Sequence, residues 1–295
     1  MGYGSWDSVS YTTYANTTGR SVTSTGNLSS NYTAQDIFKA RGIDDKLLPY
    51  KVMRECRDSD EHPHTIPVVL ALDVTGSMGT SIAEVAKRLN EVMTKLYSEV
   101  PDVEFCIMGI GDLAYDQAPI QISQFEADVR IAEWLDKVYF EKGGGGNAFE
   151  SYTAAWFMGV HHMDLDCWKR GEKGVIITLG DEPLNPYLPK ERLERSTGDT
   201  GLQADIETGP LFNEACQKFD IYHIAVDGNY TNCYARYKSR IEESFGEYLD
   251  DQHLIHATIE EVIPTIIDIV KNHVSRSSFG ATVVHPGEGM PVISW

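Results

Sequence analysis

Positive charge is scarce in this chain: 25 Lys and Arg stand against 44 Asp and Glu over 295 residues, a formal net charge of −19. A surface of that sign repels phosphate backbones and anionic headgroups, so neither nucleic acid nor a membrane is expected as a partner. It attracts divalent cations. No apolar run approaches the roughly 20 residues that span a bilayer, and the N-terminus carries no charged-then-apolar secretion signal. A soluble protein not exported by that route is expected. The five cysteines, Cys56, Cys106, Cys167, Cys216 and Cys233, are scattered and never spaced Cys-x-x-Cys. That leaves no disulfide framework or zinc site to read and points to a reducing, cytoplasmic compartment. The run Gly143 to Gly146 is not followed by Gly-Lys-Ser/Thr, so a phosphate-cradling loop is not expected. His62, His64, His161 and His162 have no cysteine or third histidine at ligand spacing.

Against these absences stands one dense stretch. Val68-Val-Leu-Ala-Leu72 is unbroken apolar sequence that ends in Asp73, Thr75 and Ser77, three short oxygen-bearing side chains at alternate positions. A strand without polar alternation is covered on both faces, as in a parallel sheet flanked by helices. Ligands of such sheets sit beyond the carboxyl ends of the strands, where these oxygens fall. The same residue types also cap helices, so capping of the next helix is the competing reading. A second run, Gly174-Val-Ile-Ile-Thr-Leu179, empties in the same manner into Gly180-Asp181-Glu182-Pro183. Between them, residues 103–110 read as a strand leading to Asp112 and Asp116, and four glycines precede Asn147, Glu150 and Ser151.

The string Asp73-Val-Thr75-Gly-Ser77 resembles the first metal motif of the von Willebrand factor A (vWA) domain, usually Asp-x-Ser-x-Ser, with Thr75 retaining the hydroxyl of the first Ser. The Gly-rich stretch resembles the subgroup with Gly-Gly-Gly-Asp/Asn-x-x-Glu, and Gly180-Asp181-Glu182-Pro183 resembles a Gly-Asp-x-Pro variant of the third motif. The likeness is to intracellular bacterial and phage vWA proteins. It implies a doubly wound α/β fold with a mostly parallel central sheet and a metal-ion-dependent adhesion site for Mg²⁺ or Mn²⁺. The implied metal residues are Asp73, Thr75, Ser77, Asn147 and Asp181, supported by Asp112, Glu150 and Ser151. Hydroxyls backed by carboxylates suit a hard cation.

The implied function is metal-dependent binding of an Asp or Glu on a partner protein, in the cytoplasm, or in the virion if the chain is phage-encoded. Two alternatives stay open: a scaffold, such as a virion or stress-response component, with a vestigial site, and a metal-dependent hydrolase using Asp73 or Asp181. No catalytic constellation is readable, so an enzyme is not expected.

The organisation expected is a Ser/Thr/Tyr/Gly-rich tail over residues 1–35, the vWA-like domain over 36–274, and a tail over 275–295. The first tail is poor in aliphatic residues and is expected to stay flexible; both tails are candidates for self-association. Apolar residues at three-and-four spacing predict one helix from Ile82 to Leu96, capped by Thr80 or Ser81, and another over Phe125, Val129, Ala132 and Leu135. Residues 119–122 read as an edge strand, 184–210 as an elaborated loop, and Thr258 to Glu261 as a capping box opening the last helix.

Overall fold

A computed structural model describes residues 4–141, 147, 149–228 and 233–280, with side chains to residue 276. Its centre is the apolar run singled out above. Ile66–Asp73 (β1) is paired in parallel with Val103–Ile110 (β2) on one side and Gly174–Gly180 (β4) on the other. Ile120–Glu126 (β3) lies antiparallel against β2 and forms one edge. Phe219–Asp227 (β5) and Leu254–Thr258 (β6) extend the sheet beyond β4. The spatial order is therefore β6-β5-β4-β1-β2-β3, five strands parallel and one edge strand reversed. That is the doubly wound α/β order.

Both faces of β1 are covered, which is why its sequence does not alternate. Val68, Leu70 and Leu72 pack into one layer with Gly79–Lys87 (α2), Leu89–Tyr97 (α3), Arg130–Lys137 (α4) and the last helix, Ile259–Gly280. Val69 and Ala71 face the other layer, made by Thr153–His161 (α5), Thr208–Lys218 and Cys233–Gly246. The connections leave β1 toward β2 and leave β4 toward β5. The loops after β1 and β4 thus flank the switch point, where the chain opens a crevice at the strand ends.

Several expectations are corrected. The N-terminal stretch is not a loose tail: Ser8–Thr17 (α1) is helical, and Trp6, Tyr11, Ala15 and Leu28 are buried against the first layer. Trp6 Nε1 donates to Asn90 Oδ1 at 3.1 Å, Tyr14 Oη to Asp136 Oδ2 at 2.5 Å, and Arg20 forks onto the same carboxylate. Aromatic rings supply the apolar area that the missing aliphatics do not. The helix after the first loop breaks at Arg88 into α2 and α3, and the residue before α2 is Met78, which offers no side-chain cap. Phe125 belongs to β3, so α4 begins only at Arg130. The 184–210 segment contains a helix, Lys190–Thr197, between two short paired strands. Glu261 does accept from the Thr258 N–H and hydroxyl, at 2.9 and 2.8 Å, and the last helix runs to Gly280, past residue 274. The glycines at 143–146 and the apolar end at 290–295 lie outside the described residues.

Candidate functional site

At the carboxyl end of β1 the chain turns sharply, and Asp73 sits fully buried beneath the turn. Its Oδ1 accepts from the Thr75 N–H at 2.9 Å and the Thr75 hydroxyl at 2.5 Å; its Oδ2 accepts from Tyr152 Oη at 2.8 Å. Both oxygens of Asp73 are therefore committed to shaping the loop. Across the crevice, Ser77 Oγ donates to Asp181 Oδ1 at 3.0 Å, joining residues 104 positions apart. Thr75 Oγ1 and Ser77 Oγ stand 3.3 Å apart. Each hydroxyl proton is directed at a carboxylate, so what the two oxygens offer to the crevice is lone pairs.

The remaining acids crowd the same end of the sheet. Asp112 is buried; its Oδ1 accepts from the Ala114 N–H, the nearby Asn147 side chain favours its ionised form, and its Oδ2 has no hydrogen-bond partner among the described residues. Glu150 is buried with Oε2 likewise unpartnered. Ser151 Oγ is taken by the Leu113 N–H at 2.9 Å and so ties the loop after β2 to the start of α5. Burial, together with the charges of Asp73 and Glu182, pushes the Asp181 carboxyl up to about 8. Burial and the same Asp73 charge, joined by that of Asp112, raise Glu182 to about 7. Glu150 is held well above the usual carboxylate range, by burial and then by Asp73, Glu182, Asp116 and Asp112. The carboxylates repel one another, and Arg240 near Glu182 and Arg192 near Asp112 offset that repulsion only in part.

The structure thus brings Asp73, Thr75, Ser77 and Asp181 together in one hydrogen-bonded set. Asn147 and Ser151 are placed on the Asp112 loop, and Glu150 among the repelling carboxylates. Two participants went unread in the sequence. Tyr152 looks like any aromatic at the head of a buried helix, and only its contact with Asp73 reveals it. Glu182 is not among the implied metal residues, yet its charge is felt by Asp181 and Glu150.

A divalent cation fits this donor set. Among the described residues no three His, Cys, Asp or Glu side chains form a metal-ligating group, but the closest oxygens here are hydroxyls, which such a group would not include. In octahedral coordination at about 2.1 Å, adjacent ligand oxygens lie roughly 3.0 Å apart, near the 3.3 Å between Thr75 and Ser77. The unpartnered carboxylate oxygens of Asp112 and Glu150 provide the negative charge such an ion requires.

The class that fold and site define is a doubly wound α/β domain with hydroxyls and carboxylates gathered at its switch point. No protein-family model matches the chain, and a comparison with curated proteins finds no match. Among solved structures it is similar to the pilus adhesin SpaC of Lactobacillus rhamnosus GG, at 12% identity and TM-score 0.48, over 77% of this chain and 31% of that one. It is also similar to the vWF domain of the type V pili tip protein Mfa5 of Porphyromonas gingivalis, at 12% identity and TM-score 0.41, covering 77% and 98%. A third is proximal thread matrix protein 1 from the mussel byssus, at 10% identity and TM-score 0.41, covering 71% and 48%. The chain spans about a third of SpaC's length. Among the described residues no helix is long and apolar enough to cross a membrane.

Proposed function

We propose that the chain is a vWA-like protein-interaction module that binds a partner's Asp or Glu through a Mg²⁺ or Mn²⁺ ion. Thr75 and Ser77 would hold the ion by their hydroxyls, Asp181 and Asp73 would support it, and Asp112, Glu150 and Asn147 would complete the charged surround. The ion supplies the positive charge that lets an acidic protein accept a partner's carboxylate. The observation that carries this reading is the bond from Ser77 to Asp181, which couples the loop after β1 to the loop after β4 at the switch point. Asp73 is a poor candidate for a hydrolytic nucleophile or base, because both its oxygens already accept hydrogen bonds and no solvent reaches it.

The reading is tested by thermal unfolding with and without metal. A ligand that binds only the folded state raises stability by about 2.7 kcal/mol at one hundred times its Kd. Mg²⁺ or Mn²⁺ is expected to raise the Tm of the native chain and to leave Ser77→Ala unchanged. Equal, metal-independent curves for both proteins would sink the metal reading and favour the scaffold alternative.

A further inference from the structure

Beside the Thr75 loop lies a second feature, a cleft of about 660 Å³ whose walls come from three separate parts of the chain. Thr75, Gly76 and Gly79 form the side shared with the candidate metal site; residues within 34–41 form a second wall; Phe140 and Glu141 supply the third part. That volume lies within the usual range for ligand pockets. Its apolar surface is the pair Phe38 and Phe140, rings 4.2 Å apart and both only half-buried. Two cations, Lys39 and Arg41, are exposed on its wall.

The charges are the unusual part. In a chain of net charge −19, neither Lys39 nor Arg41 forms an ion pair among the described residues. The acids beside them are already engaged: Asp36 accepts from the Thr33 N–H and hydroxyl, and Glu141 from the Gln117 and Ala118 N–H groups at 2.7 and 2.8 Å. The wall that carries the cations is fixed in place, since Ile37 is 1% exposed in the first core layer.

We propose that this cleft is a specificity subsite for an acidic segment of a protein partner, in which an aromatic or large aliphatic residue sits next to the Asp or Glu presented to Thr75 and Ser77. The apolar side chain lies on Phe38 and Phe140, and a further carboxylate of the segment meets Lys39 and Arg41. The occupant follows from charge complementarity: cations held in no ion pair among the described residues, beside half-buried rings, select an anion with an apolar neighbour, and a basic or purely polar segment would leave both unsatisfied. The proposal rests on the metal reading for the acidic anchor, while the cleft adds the choice of partner. The wall itself is built by residues 34–41.

The test uses the full chain and three fluorescein-labelled peptides, acetyl-Ser-Asp-Phe-Glu-Gly-amide, the same with Ala for Phe, and the same with Ala for Asp. Binding is followed by anisotropy in Mg²⁺ and in chelator. The Phe peptide is expected to bind the native chain about ten-fold more tightly than its Ala counterpart, the usual worth of burying one aromatic side chain. Lys39→Glu combined with Arg41→Glu, two exposed positions that leave the core intact, should weaken the Phe peptide about five-fold or more, an effect that shrinks with added salt. Phe38→Ala should remove the preference for Phe. Equal affinities for the Phe and Ala peptides, with no response to the charge reversal, overturn the subsite even if binding requires Mg²⁺. Binding that keeps the Phe preference but ignores Mg²⁺ and Ser77→Ala supports the cleft and overturns the metal anchor. No binding of any peptide at millimolar concentration overturns both.

Discussion

Tyr152→Phe is the sharpest probe of the loop that Asp73 organises. The ring is fully buried and packs near His223 and Phe245, with centroids 5.0 and 5.8 Å away, so a phenylalanine keeps its contacts. What is lost is the 2.8 Å donation to Asp73 Oδ2 and a long 3.4 Å acceptance from the Glu182 N–H; the first leaves one oxygen of a fully buried carboxylate without its donor. A hydrogen bond to a charged group contributes about 1.5–3 kcal/mol; removing one atom from a packed site adds little. The expected loss is about 2 kcal/mol in denaturant unfolding without metal, at unchanged slope. Because the effect requires the charge of Asp73, it is expected to shrink in an Asp73→Asn background, giving a coupling on the order of 1–2 kcal/mol in the double-mutant cycle. Free energies that simply add, or a single-variant loss within a few tenths of a kcal/mol, would refute the claim that Tyr152 anchors the loop. In Mg²⁺ the Tyr152→Phe protein should also show a smaller rise in Tm than the native chain, because the carboxylate that orients Thr75 is less firmly held.

Three further outcomes are expected. Gly180→Ala would place a Cβ 1.8 Å from Tyr152 Oη; a side chain buried on every side cannot retreat that far, so the variant should lose roughly 3 kcal/mol or fail to fold, and native-like stability would show that Tyr152 has room to move. Burial raises the Glu104 carboxyl from 4.5 to about 7, so its contribution is fully present below pH 4.5 and lost as pH rises through 7, a penalty on the order of 3 kcal/mol by pH 8. Glu104→Gln should therefore gain stability over the native chain with rising pH, and parallel pH profiles would contradict this. Trp6→Ala removes a side chain 9% exposed together with its bond to Asn90; hydrogen exchange should quicken in Ser8–Thr17 while β1 stays protected, and unchanged exchange would mean that the N-terminal segment is held by other contacts.

How much of this was legible beforehand follows from the physics of each element. β1 and β4 were readable because burial on both faces forces an uninterrupted apolar run, a signal that needs no knowledge of partners. Asp73, Thr75, Ser77 and Asp181 were readable because each follows such a run, and the doubly wound order brings the ends of β1 and β4 side by side. The N-terminal segment misled for a complementary reason. Its aliphatic content is low, but Trp6, Tyr11 and Tyr14 attach it to a surface that exists only once α3 and α4 are in place, and Arg20 finds Asp136 across 116 residues. Tyr152 and the cleft were unreadable on the same ground. Their roles depend on distances between segments that share no local pattern, such as Phe38 against Phe140.

That difference bears on where specificity is written in this chain. On the proposed reading, the hydroxyl and carboxylate loop, spelled out in short motifs, would offer the same anchor to any acidic partner. Most of the features that would choose among acidic partners, Lys39, Arg41 and Phe38, lie in a segment outside those motifs, fixed to the domain by the buried Ile37 with Ala34 and Phe38 packed on the core. A change in residues 34–41 could therefore redirect binding while leaving the anchor and the sheet as they are. If exchanging those residues altered metal-dependent stabilisation as much as it altered peptide preference, the separation between anchor and selector would not hold.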